Sequence, residues 1–283
     1  MSTSSGTTRR RVEGHTIRKR SESFQDFYGQ ATLFYNSMSG WEREHIVAAY
    51  RFELGKCDHM HVRARQVEQL NHIDHGLAVV VAEGIGVAPP TESGTPNHGR
   101  SSPALSQANT TFESVRSLKV AILIADGVDA GATALAQTLT EWGATPELLA
   151  PAGGTVRSED GTDIPVDRVI NTMASVRYDA VLIPSGQASA ATLSKDGYAV
   201  HFVAEAIKHA KPVGGLGAGR QLIERTANGA ARLAEDDGAV HNDHGVMSVA
   251  ATNGTVPAGF LEAFRTALAR HRAWERSTAA IPA

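Results

Sequence analysis

The sequence predicts an α/β protein: a mostly parallel sheet covered on both faces, preceded by a helical segment. Three observations carry this. From Leu118 onward, short apolar runs alternate with helix-length amphipathic stretches, the pattern of parallel strands joined through crossover helices. Those runs, at 120–125 and 180–184, are continuously apolar, as strands buried on both faces must be. Between His15 and Val87, apolar residues recur instead at helical spacing.

The elements follow in chain order. Residues 1–14 are Ser/Thr-rich and then basic (Arg9, Arg10, Arg11), and read as a disordered tail. Residues 15–87 form the helical segment. Ser39-Gly40-Trp41-Glu42 has capping-box spacing, and behind it Ile46, Val47, Tyr50 and Leu54 share one helical stripe. A second helix is expected over about 62–83, with Val67, Leu70, Ile73, Leu77 and Val81 on its apolar face and Gly84 and Gly86 at its end. Residues 88–114 carry Pro89, Pro90, Pro96 and Pro103 among Ser, Thr, Asn and Gly. Few large apolar side chains remain there to offset ordering entropy, so this reads as a linker. Residues 115–283 are the α/β domain. Strands are expected at 120–125, 147–150, 180–184 and 213–216, and a hairpin over 155–165 turning at Asp160-Gly161. Helices are expected at 130–142, 198–210, 218–227 and 257–274.

Composition narrows the function classes. The 283 residues are 42% hydrophobic and 20% charged, with a net charge of −3. That balance is globular and gives no electrostatic case for nucleic acid or an anionic membrane. A single cysteine, Cys57, excludes an internal disulfide and suits a reducing compartment. No signal peptide or spanning segment is visible in the sequence, so a cytoplasmic location is expected.

The stretch Lys211-Pro-Val-Gly-Gly-Leu-Gly217-Ala218-Gly219 resembles the nucleophile elbow of the ThiJ/PfpI superfamily. In that superfamily a strand ends in Cys-His-Gly at a strained strand-to-helix turn, beside a helix N-terminus that lowers the thiol pKa. Here Gly217 occupies the cysteine position and Ala218 the histidine position. Neither can attack a carbonyl or accept a proton. Pro184-Ser185-Gly186 matches the superfamily's P-x-G turn. The stretch 126–133, where a carboxylate belongs, puts a small residue in its place. The resemblance implies a flavodoxin-like sheet that keeps the framework of an enzyme and lacks its reactive groups.

A second resemblance runs from about His15 to the C-terminus. Arg20-Ser-Glu-Ser-Phe24, Leu33-Phe-Tyr-Asn-Ser37, Glu44-His-Ile-Val47, Phe52-Glu-Leu-Gly55 and Gln69-Leu-Asn-His-Ile-Asp74 resemble the helical segment that follows the haem core of monofunctional catalases. In large-subunit catalases this segment leads through a linker into a ThiJ/PfpI-type domain without a reactive cysteine. The ending His271-Arg-Ala-Trp274-Glu-Arg276 also resembles theirs. No residue matches the distal histidine and asparagine or the proximal R-x-x-x-Y tyrosine of a haem core. No cofactor is therefore expected.

The resemblance implies a non-catalytic, stress-associated module that stabilises or assembles, or a holdase-type chaperone binding unfolded clients. It leaves open an accessory subunit of a haem catalase in hydrogen peroxide removal, and a ThiJ/PfpI-type hydrolase or glyoxalase with another nucleophile. Phe24, Phe27, Tyr28, Phe34, Tyr35 and Trp41 cluster in the helical segment. Half exposed, they would present on the order of 500 Å² of apolar surface, near the top of what a typical monomer shows. They are the candidate interface of a homo-oligomer, a dimer or tetramer. The pairs His72/His75 and His241/His244 have spacings compatible with a metal, but no third ligand accompanies either, and no metal site is assigned. Cys57 has Lys56 and two histidines close by in sequence, the setting of a peroxide-sensing thiol or of a merely tolerated one. The glycines at 214, 215, 217 and 219 do not follow G-x-G-x-x-G, which argues against nucleotide binding.

Overall fold

The computed structural model describes residues 13–15, 17–110, 113–235, 239–250 and 255–282. The expected tail at 1–12 lies outside them. The described chain forms two compact units that divide between Gln107 and Ala108.

The first unit is a helical bundle. After a short 3-10 turn at Glu22–Gln25 come α1 (Gly29–Ser37), α2 (Gly40–Gly55), α3 (Met60–Ile73) and α4 (His75–Ile85). The capping box predicted for α2 is formed: the Ser39 amide donates to Glu42 Oε2 at 2.7 Å. Its stripe packs inward, with Leu54 buried and Ile46, Val47 and Tyr50 against the same core as Val67, Leu70, Leu77 and Val81. The helix expected over 62–83 is two helices. Asp74 is extended (φ −156°, ψ 128°) and breaks the run, and its carboxylate caps α4 by accepting from the Leu77 amide at 2.9 Å. The apolar period continues across the break, which is why periodicity alone merges the two. Gly86 closes α4 in the left-handed conformation, at φ +72°.

Residues 92–107, inside the segment read as a linker, lie along this bundle through polar pairs. The Asn71 side chain donates to the Glu92 carbonyl, Asn36 and Asn97 join amides at 2.8 Å, and His98 Nε2 lies 2.9 Å from the Gly29 carbonyl. Low apolar content signals a linker, but it does not register side-chain hydrogen bonding. Glu42 joins both ends of this arrangement. Its carboxylate accepts from Ser39, from Ser106 Oγ at 2.7 Å and from the Gln107 amide at 2.8 Å. Desolvation works against its ionisation, but these hydrogen bonds outweigh it and hold the pKa below the usual glutamate value. A depressed carboxylate pKa contributes stability that is present above the unfolded value and is lost as pH falls through the folded one. Acid should therefore loosen this unit. In Glu42→Gln the helical signal of the full chain should be less sensitive to pH across the carboxylate range. An identical acid titration by circular dichroism would remove Glu42 from that role.

The second unit is α/β. Its strands are β1 (Lys119–Leu123), β2 (Thr145–Ala150), β3 (Thr155–Arg157), β4 (Asp163–Pro165), β5 (Arg168–Val169), β6 (Ala180–Ile183), β7 (Val213–Leu216), β8 (Val240–Asp243) and β9 (Val246–Val249). Its helices are α5 (Gly131–Glu141), α6 (Gln187–Lys195), α7 (Gly197–Lys208), α8 (Arg220–Ala227) and α9 (Ala258–Arg270). Seven strands form one sheet in the order β5-β2-β1-β6-β7-β9-β8. Every pairing is parallel except β8 with β9. β3 and β4 form the separate predicted hairpin, with Gly161 in its turn at φ +85°.

Successive residues of β1 feed opposite cores, as the period of two requires. Ala121 and Leu123 join Phe202, Val203, Leu222 and Ile223 on one face, while Val120 and Ile122 join Leu135, Leu139, Phe260 and Phe264 on the other. Four elements of this unit are absent from the sequence reading, β9 (Val246–Val249) among them. β5 is only two residues long, β8 is a polar edge strand (Val-His-Asn-Asp), and α6 is rich in Ala and Ser, which give a weak apolar stripe.

Candidate functional site

The elbow lies at the carboxyl ends of the central strands, where open α/β sheets bind ligands. β7 ends at Leu216, a 3-10 turn covers Gly217–Gly219, and α8 starts at Arg220. Gly217 is left-handed at φ +51°, the backbone that a nucleophile elbow requires. A Cβ on Gly219 would come within 2.4 Å of the Ile183 carbonyl and 2.5 Å of the Pro184 carbonyl. The P-x-G turn is thus pressed against the elbow, and Ser185 Oγ accepts from the Ala218 amide at 3.4 Å. The Ser185 carbonyl accepts from the Asp129 amide at 2.8 Å. Gly217, Ala218, Gly219, Pro184, Ser185 and Gly186 are therefore brought together in space.

Among the described residues lining the cleft over them there is no cysteine and no histidine. The carboxylates after β1 are engaged with backbone: Asp126 accepts from the Arg157 amide at 2.9 Å and Asp129 from the Gly131 amide at 2.6 Å. An open cleft of ≈790 Å³ lies over the elbow, lined by Gln187, Ala218, Gln221, Glu224 and Glu235 among others. Arg220 crosses it, donating to the Gly217 carbonyl at 3.1 Å and to the Ala234 carbonyl. Nothing in the sequence around Arg220 marks this role, because its second partner is fourteen residues away.

At the opposite ends of the strands lies a charged cluster that the sequence does not indicate. Lys211 is buried, and Nζ donates to the Ser175 carbonyl at 2.5 Å. Burial, and then Arg272, pull its pKa down to about 8, against the opposing pull of Asp179 and Glu205. Asp179 accepts from the Lys119 amide and faces His271 Nε2 at 3.3 Å. Arg276 is buried, donating to the His244 and Ile207 carbonyls.

The candidate interface residues divide. Phe24, Phe27 and Phe34 are exposed, Tyr28 and Trp41 are half-buried, and Tyr35 is buried in the bundle core. Tyr28 stacks on His72 at 4.7 Å and donates to Gln69 Oε1 at 2.6 Å. His72 Nδ1 lies 2.8 Å from Thr95 Oγ1 and His75 Nδ1 lies 2.9 Å from Asn71 Oδ1. His244 faces Asp243 and Glu275 at 3.8 Å. Among the described residues, no group of three or more His, Cys, Asp or Glu side chains is arranged to hold a metal. Cys57 is half-buried, with Sγ 3.9 Å from the Glu53 carbonyl. No described helix is long and apolar enough to cross a membrane.

Comparison with known proteins matches both units. Residues 21–85 match the family described as catalase-related immune-responsive, and residues 116–278 match the C-terminal domain found in long catalases. Catalase HPII of Mycobacterium avium is 48% identical over 275 residues, covering 96% of this chain and 39% of that protein. Catalase HPII of Pseudomonas aeruginosa is 39% identical, covering 96% of this chain and 36% of the relative. Catalase-1 of Neurospora crassa is 35% identical, covering 94% and 38%. The chain thus spans little more than a third of the length of these curated relatives. It carries a catalase-related segment followed by a long-catalase C-terminal domain, and it belongs to the family of that domain.

Proposed function

We propose that this chain is a non-catalytic module of the oxidative-stress response that stabilises or assembles proteins, acting as a homo-oligomer with holdase-type affinity for unfolded clients. One observation carries the non-catalytic part. Gly217 keeps the left-handed backbone of a nucleophile elbow (φ +51°) while presenting no side chain to a cleft whose described lining includes no histidine or cysteine. In this reading the α/β unit is a flavodoxin-like, ThiJ/PfpI-type domain spanning 115–283, with residues 15–87 as the helical segment and 88–114 joining them. The parallel order through β2-β1-β6-β7 supports it. Exposed phenylalanines in the helical unit support the binding role. A second reading is favoured by the names of the relatives, which are catalases: an accessory role in hydrogen peroxide removal through contact with a haem catalase.

The test uses the purified 283-residue chain. It should show no Soret band after incubation with haem and evolve no oxygen from peroxide. It should suppress aggregation of a heat-unfolded reporter enzyme near equimolar ratio. Gly217→Cys should yield a thiol of ordinary reactivity and no hydrolase or glyoxalase turnover, because the histidine position beside it is Ala218. Stoichiometric haem, peroxide dismutation or a fast low-pKa thiol in that variant would overturn the non-catalytic reading. Unchanged reporter aggregation would overturn the holdase part.

A further inference from the structure

A pocket of ≈470 Å³ opens at the end of the sheet opposite the elbow. Pro212 and Gly245, which directly precede β7 and β9, line it. One wall is a single face of α9, where Glu262, Ala263, Thr266, Ala267 and Arg270 stand at helical spacing. The other wall is the chain just after α9, with Arg272, Ala273 and Glu275. Ala273 sits close because Gly245 has no side chain: a Cβ on Gly245 would lie 2.9 Å from Ala273 Cβ. The floor is therefore made of small apolar residues, and nothing large fills the space above it.

The charges of the lining do not cancel among themselves. Arg270 and Glu275 are spent on each other in a two-point pair, at 3.0 and 3.3 Å. His244 faces Asp243 and Glu275 at 3.8 Å. Glu262 and Arg272 remain. Glu262 is exposed and has no hydrogen-bond or ion-pair partner among the described residues. Arg272 is half-buried, and only its Nη1 is engaged, donating to the His271 carbonyl at 2.9 Å. Desolvation pulls the Arg272 pKa down, with Asp179 opposing, so a carboxylate brought to this guanidinium would replace lost hydration. Eight residues of helix separate Glu262 from Arg270, about 12 Å along the axis. Arg272 follows beyond that, which keeps the two free charges from pairing with each other.

We propose that this pocket binds a small zwitterion of the amino-acid type, its carboxylate held by Arg272, its ammonium by Glu262 and its aliphatic side chain on the alanine floor. A guanidinium offers a planar fork that matches a carboxylate, and a free carboxylate is the natural acceptor for an ammonium. A ligand of one sign fits worse. An anion would meet Glu262 and Glu275, and a cation would meet Arg270 and Arg272. The volume lies within the usual range for small-molecule sites. The site is separate from Gly217 and does not depend on the holdase or the homo-oligomer reading.

Isothermal titration of the full 283-residue chain at neutral pH, with L-leucine as the probe, tests this. Leucine should bind with a dissociation constant on the order of 1 mM. At about ten times that concentration it should raise the melting temperature by roughly 3 °C. L-leucinamide lacks the carboxylate and N-acetyl-L-leucine lacks the ammonium, and each should bind at least tenfold more weakly. Arg272→Gln and Glu262→Gln should each raise the leucine dissociation constant at least tenfold. Glu262 is exposed, so Glu262→Gln keeps the fold and decides the matter should Arg272→Gln itself lose stability. The dipeptide glycyl-leucine separates two sources of the same chemistry: tighter binding than leucine assigns the site to short peptides, weaker binding to free amino acids. The proposal is overturned if neither leucine nor the dipeptide binds at tens of millimolar, if either blocked derivative binds as well as leucine, or if Glu262→Gln binds leucine undiminished.

Discussion

Gly186→Ala is expected to destabilise the α/β unit by about 4 kcal/mol, lowering its melting temperature by roughly 10 °C. Two effects add. Gly186 has φ +122° and ψ 109°, a conformation that L side chains rarely adopt. A Cβ there would also lie 2.2 Å from the Gly127 carbonyl oxygen and 2.7 Å from Val128 Cα, and backbone atoms cannot rotate away as a side chain would. The neighbouring hydrogen bond from the Asp129 amide to the Ser185 carbonyl locks the two loops at that spacing. Gly161→Ala is the control. Gly161 is also left-handed, at φ +85°, but a Cβ there meets nothing within 4 Å. Its cost should be only the backbone strain, about 1 kcal/mol. Equal melting temperatures for the two variants would show that contact with the 127–128 backbone does not set the cost.

Arg276→Met is expected to cost about 3 kcal/mol and to release the C-terminal segment before the sheet unfolds. The Arg276 guanidinium donates twice to the His244 carbonyl, at 2.9 and 2.7 Å, and once to the Ile207 carbonyl at 3.1 Å. It therefore ties the chain after α9 to the β8–β9 turn and to α7. Burial lowers its pKa to about 10, with Glu275 and Asp243 opposing the fall. The residue is charged at neutral pH, and the cost of desolvating it is present there in full. The three hydrogen bonds must outweigh that cost. Methionine keeps an unbranched stem and leaves the His244 carbonyl without this donor. Arg276→Lys should rescue only part of the loss, since a single ammonium lacks the fork that reaches two carbonyls. Hydrogen exchange of residues 271–282 is the direct readout. Protection unchanged in Arg276→Met would remove this anchor from the fold.

Much of the architecture was legible because it rests on short-range pattern. Continuous apolar runs mark β1, β6 and β7, and a glycine after an aspartate marks the β3–β4 turn. The capping box of α2 needs only a serine and a glutamate three residues apart. The strand-to-helix turn at Gly217–Gly219 was legible for the same reason, since it follows a short apolar strand directly. What the local pattern could not carry was set by partners distant along the chain. Asp74 splits one apolar period into α3 and α4. Glu42 bonds Ser106, sixty-four residues away, and so draws a linker-like stretch onto the bundle. Tyr35 and Phe34 are neighbours in sequence, yet Tyr35 is buried in the core while Phe34 is exposed.

The sequence by itself determined the α/β fold class, the membership of the long-catalase family and that residues 217 and 218 are glycine and alanine. Each depends on which residue type stands at a given position, and a residue type is a property of the chain. Only the tertiary structure decided which aromatics reach solvent, how Arg220 crosses the cleft, and that Lys211 and Arg276 are buried cations. Burial and hydrogen bonding depend on distances between atoms far apart along the chain, and those distances exist only once the chain has folded.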